Sequence, residues 1–117
     1  MSFTKVYIGE DKPLAIYMNV DINGFTFTVT NSDDTAYDFT GLTDLNLKIY
    51  DHRGGTLEAT IVNGATGVAA AANVITWNSD YSVDILITKL GIHYYDLIWE
   101  DSNSKPILIA FGDLKII

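Results

Sequence analysis

Two histidines, 15 carboxylates and no cysteine bound the chemistry open to this chain of 117 residues. His52 falls in the turn Asp51-His-Arg-Gly-Gly55 and His93 at the start of a strand. Neither sits in an H-x-x-H or H-E-x-x-H frame, so both read as solvated histidines and not as metal ligands. Asn31 with Asp33 and Asp34, or Asp80 with Asp84, offer oxygens that calcium accepts, but the D-x-D-x-D-G spacing is missing. Loop acids of this kind more often cap turns. Any two of 15 acids can be drawn as a glycosidase pair, so pairing alone carries no information, and Glu100-Asp101 opens a turn, a poor place for a buried acid. There is no G-x-S-x-G elbow, and Gly54-Gly55 lacks the Lys-Ser/Thr and the following helix of a phosphate loop. The residues point away from an enzyme. No catalytic, cofactor or metal residue is assigned.

The aromatic set Tyr17, Tyr50, Trp77, Tyr94 and Trp99 has two readings. Exposed rings form a platform on which a sugar stacks; buried rings are core or subunit contact. Large aromatics on sandwich strands are more often core or contact, and ring exposure decides between the two.

Composition narrows the classes further. Hydrophobic residues make up 48% and charged residues 19%, a globular balance, and 117 residues suffice for one domain with a real core. Without cysteine the fold rests on packing or partners and not on disulfides. The net charge of −8 repels nucleic acid and anionic membrane, and no Lys/Arg cluster offers a local exception. The start, Met1-Ser-Phe-Thr-Lys-Val-Tyr, lacks the pattern of a signal peptide, and no apolar run is long enough to span a bilayer. The expectation is a protein made in the cytoplasm.

Short strands must position whatever the chain does. Residues 1–12 read as a first strand or an arm, closed by a turn at Pro13. Leu14, Ile16, Met18, Val20 and Ile22 alternate with Ala15, Tyr17, Asn19 and Asp21, the period-two mark of a half-buried strand. Asn23-Gly24 predicts a hairpin turn, with Phe25, Phe27 and Val29 alternating against threonines in the returning strand. Leu45 to Tyr50 alternates again, turns through Gly54-Gly55, and pairs with Thr56 to Val62. Val68 to Ala72 is alanine-rich and reads as one helical turn; Val74 to Trp77 is β-rich; Tyr81 to Ile87 is extended or one short helical turn. His93 to Glu100 and the aliphatic run to Ile117 form a final hairpin at the centre of a sheet. About seven to nine short strands without a long amphipathic helix predict an all-β antiparallel sandwich over residues 1–117.

The order of certain segments is also familiar. Phe25-Thr-Phe-Thr-Val29 is followed by Tyr37-Asp-Phe-Thr-Gly41, then by Leu45-Asn-Leu-Lys-Ile-Tyr-Asp-His-Arg-Gly-Gly55. Asn73-Val-Ile-Thr-Trp77, Leu90-Gly-Ile-His-Tyr-Tyr-Asp-Leu-Ile-Trp99, and Ile107 to Phe111 with Gly112-Asp-Leu-Lys-Ile-Ile117 complete the series. From about Leu14 to Ile117 this resembles the immunoglobulin-like N-terminal domain of phage upper-baseplate proteins and related small virion domains. The resemblance implies an Ig-like sandwich without catalytic residues or cofactors. It also implies a virion location, other virion proteins as partners, and a symmetric homo-oligomer, a trimer being favoured. The chain carries no long fibre or receptor-binding region after the domain, which turns the expectation towards an accessory, adaptor or capsid-decorating protein. The rival expectations are a carbohydrate-binding module using exposed Tyr and Trp, and a small hydrolase with an unrecognised site.

Overall fold

Alternating hydrophobicity builds two sheets whose inner faces share one core. The computed structural model describes residues 3–39, 43–64, 67–100 and 105–117, with ten strands among them: β1 Phe3–Tyr7, β2 Glu10–Asp11, β3 Leu14–Ile16, β4 Ile22–Thr30, β5 Thr43–Tyr50, β6 Leu57–Val62, β7 Val68–Ala71, β8 Val74–Ser79, β9 Gly91–Glu100 and β10 Pro106–Ile116. One sheet runs β1-β4-β8-β7. The other runs β2-β10-β9-β5-β6, with β3 also on β10. Phe27, Val29, Ile75 and Trp77 from the first sheet meet Leu45, Leu47, Tyr95, Leu97, Ile109 and Leu114 from the second, all fully buried. The chain is a β-sandwich.

Several expectations about strands are corrected. The sheets are mixed and not antiparallel, because β1 runs parallel to β4 and both β2 and β3 run parallel to β10. The physical cause is that the N-terminal segment has no hairpin partner. It docks on edges supplied by strands far away in sequence, crosses from one sheet to the other at Ile8-Gly9, and so counts as three short strands. Ile8 donates its N–H to the Thr30 carbonyl of one sheet, and Gly9 donates to Ile109 of the other at 2.7 Å.

Asn23-Gly24 is not a hairpin turn. It lies inside β4, where Ile22 pairs Ser79 and Phe25 pairs Trp77, so two residues oppose the single Asn78. The positive φ of Gly24 (+70°) serves a β-bulge here. Asn78 Oδ1 accepts the Gly24 N–H at 2.7 Å and seals the irregularity. The long strand read over Leu14–Ile22 is divided by a turn at Met18–Asn19, with Asn19 at φ +61°. Val68–Ala71 is a strand and not a helical turn. It returns into β8 through Ala72-Asn73, because four residues cannot nucleate a helix while the buried Val68 has a sheet partner in Trp77. Tyr81–Ile85 forms a single π-helical turn opened by Asp80. Thr40-Gly41, Ala65-Thr66 and the turn predicted at Asp101–Ser104 lie outside the described residues.

A second bulge explains the unbroken apolar run Ile107 to Phe111. Leu108 pairs Ile98 and Ala110 pairs Leu97, leaving Ile109 as the extra residue. Ile109 and Ala110 therefore both point inward and are fully buried, and the alternation resumes in opposite phase. No helix among the described residues is long and apolar enough to cross a membrane.

Candidate functional site: the outer face of the six-stranded sheet

Burial of Leu45, Leu47 and Ile49, of Tyr95, Leu97 and Trp99, and of Ala110, Leu114 and Ile116 sends the alternate residues outward. The register then sets the outward residues in rows. Asn46, Ile98 and Leu108 form one row; Lys48, Asp96, Phe111 and Asp11 the next; Tyr50, Tyr94 and Asp113 the third; Ile92, Lys115 and Ala15 the fourth. Leu90 and Ile117 flank the final pair, Gly91 and Ile116, and add two more exposed apolar side chains. Large apolar and aromatic groups thus run the length of this face. The outward side of the other sheet is different, presenting mainly Thr26, Thr28, Thr76 and Asn78, with Val74, Ala69 and Ala71 beside them and Lys5 and Tyr7 on its edge strand.

At the centre lies an aromatic cluster bridged by one arginine. The Tyr50 and Tyr94 ring centroids are 6.0 Å apart, and Tyr94 and Phe111 are 6.4 Å apart. The Arg53 guanidinium reaches from the β5–β6 turn across two strands, 4.7 Å over Tyr94 and 5.5 Å from Phe111. It ends 3.4 Å from Asp11 on β2. Burial, followed by the Asp96 carboxylate beside its hydroxyl, pushes the Tyr94 phenol up to about 12. The same two causes raise Tyr50. A hollow of about 360 Å³ sits here, lined by Tyr50, Arg53, Gly54, Gly55, Tyr94 and Asp96.

The aromatic platform read from sequence is therefore split. Tyr50 and Tyr94 meet on the outer face and Tyr17 is exposed, whereas Trp77 and Trp99 are core residues. Trp77 donates its indole N–H to Ser79 at 2.7 Å. Trp99 stacks on Phe39 at 4.6 Å, and its buried indole nitrogen has no hydrogen-bond partner among the described residues. A hollow of about 500 Å³ beside it is lined by Tyr37, Phe39, Ala70 and Asn73.

The histidines also part company. His52 is exposed and pairs with Asp51 at 2.9 Å. His93 is 2% exposed, which corrects its reading as solvated. Its Nε2 faces the Lys89 carbonyl at 2.8 Å, and its Nδ1 faces Glu58 Oε1 at 2.6 Å. A carbonyl only accepts, so Nε2 carries a proton. A second proton then lies between Nδ1 and Glu58, on one or the other. Strand parity carried the signal: His93 shares the inward face with Tyr95, Leu97 and Trp99.

The acidic loops are turned on themselves. Asp33 accepts from the Thr35 N–H and hydroxyl, and Asp34 from Tyr7 and Lys5. Asp80 accepts from Ser82, and Asp84 from the Asp80 N–H. Among the described residues, no group of three His, Asp or Glu converges in the geometry of a metal site. No protein-family model matches the chain, and no curated protein matches it in sequence.

Proposed function

We propose that the chain is a non-enzymatic assembly module of a phage particle, binding other virion proteins through the outer face of its six-stranded sheet. The observation that carries this reading is the contrast between the two outer faces. Thr26, Thr28, Thr76 and Asn78, with Lys5, Tyr7, Val74 and small alanines beside them, make up one; Tyr50, Tyr94, Ile98, Phe111 and Ile92 run among charged residues along the other. Large aromatic and aliphatic groups exposed together on one face are a mark of an interaction site. The virion setting and the Ig-like label rest on the resemblance in segment order. Strand order supports the label: with β4, β5, β8, β9 and β10 as B, C, E, F and G, one sheet holds B-E and the other G-F-C. The added β1, parallel to β4, departs from that plan.

A photocross-linking amino acid at Ile92, in cells producing particles, tests the role. Covalent capture of a virion protein from Ile92, and none from Thr76 on the opposite face, is the expected result. Equal capture from both positions, or none from either, overturns it.

The second reading, carbohydrate binding, is favoured by the hollow between Tyr50 and Asp96. Against it, the guanidinium of Arg53 already covers the face of Tyr94 on which a sugar would stack. Glycan-array binding that disappears in Tyr50→Ala, with the fold intact, would place this reading first.

A further inference from the structure

We infer that, away from the particle, this face binds a second copy of the chain, giving a two-fold dimer in which the six-stranded sheets pack face to face, so that self-association and virion binding compete for it; the inference rests on the assembly reading above. Charge carries the argument first. The described charged side chains that the register and the Arg53 contacts place on the face are Lys48, Arg53 and Lys115 against Asp11, Asp96 and Asp113. Three cations meet three anions, so these described rows carry no net charge in a chain of net charge −8. A strongly basic partner finds no attraction here. An identical face meets no net repulsion, and each row that carries a cation also offers apolar neighbours.

Area is the second argument. Strands about 4.8 Å apart, each rising about 3.3 Å per residue, give the rows from Leu108 to Leu90 a footprint on the order of 600 Å². Two copies bury about 1,200 Å², the threshold of a standard specific interface. Preorganisation is the third. Arg53, Tyr50, Tyr94 and Phe111 already hold one another, so their ordering costs little more on association. Identical faces in contact obey a two-fold axis, in place of the three-fold assembly that the resemblance favours.

Light scattering behind a sizing column, at chain concentrations from micromolar to millimolar, reads the mass of the 12.9 kDa subunit and its assembly. The wild type is expected to form a dimer. Ile92→Glu with Ile98→Glu is expected to weaken association roughly thirtyfold or more, the size of one interface hot spot. Thr76→Glu is expected to leave it unchanged, and near-ultraviolet circular dichroism checks that each variant is folded. A wild-type monomer throughout, a trimer, or a dimer lost only in Thr76→Glu overturns the inference. Capture of a virion protein from Ile92 alongside a monomeric wild type means that self-association has failed while the assembly reading stands.

Discussion

His93 shows how much a single buried side chain depends on its neighbours. Both ring nitrogens face oxygen acceptors, so the pair with Glu58 works only while it retains its shared proton. Glu58→Ala leaves a buried nitrogen without a partner and is expected to cost about 1–3 kcal/mol in a urea titration, whereas Glu58→Gln, whose amide can donate to Nδ1, costs less. The exposed Asp34 follows a different rule. The Tyr7 hydroxyl and then Lys5 hold its carboxyl below the usual range. A depressed folded-state value means that the contribution is present above about pH 4 and is lost as the pH falls through the folded value. Asp34→Asn is therefore expected to flatten the acid limb of a pH–stability curve; an unchanged limb would remove Asp34 from the explanation. Neither site was legible from residue type alone. His93 was legible from parity, while the partners of Asp34 come from a strand 27 to 29 residues away.

Strands were legible wherever alternation was regular, as in Leu45–Tyr50 and Tyr94–Trp99, because one face of each is core. Irregularities were not. Asn-Gly signals tolerance of positive φ, and local sequence does not say whether a turn or a bulge will use it; Asn78, 54 residues away, decides that for Gly24. Parallel pairing of β1, β2 and β3 has no local signal at all, because register with a distant strand leaves no trace in periodicity. The junction of β2 and β3 against β10 is nonetheless tightly specified. Gly112 has φ +148°, and a Cβ there would sit 3.1 Å from the Lys12 backbone and 2.7 Å from the Asp11 carboxylate. The Tyr95 hydroxyl donates to the Lys12 carbonyl at 2.6 Å in the same place. Gly112→Ala is expected to destabilise the fold by about 1–3 kcal/mol through the backbone conformation alone, with more from the contact. A thermal melt within a degree of wild type would show that the junction yields freely.

At the scale of the molecule, the sandwich is asymmetric in chemistry as well as in strand number, and the proposed interactions fall on one side. The N-terminal crossing between sheets has a mechanical side too. β3 runs parallel to β10, with Leu14 beside Leu114 and Ile16 beside Ile116. In a parallel pair the entering end of one strand and the leaving end of the other lie at opposite poles. Tension drawn between Gly9 and Ile117 therefore loads the β2–β10 and β3–β10 hydrogen bonds in shear, all together. Tension between Gly91 and Ile117 instead peels β10 from β9 one pair at a time. The chain has no cysteine of its own, so paired cysteine handles can be placed at Ile117 and at Glu10 and Ile92, the neighbours of those two positive-φ glycines. Pulled at equal speed, the Glu10–Ile117 geometry is expected to rupture at the higher force. A domain wired this way would carry load along its length and give way sideways.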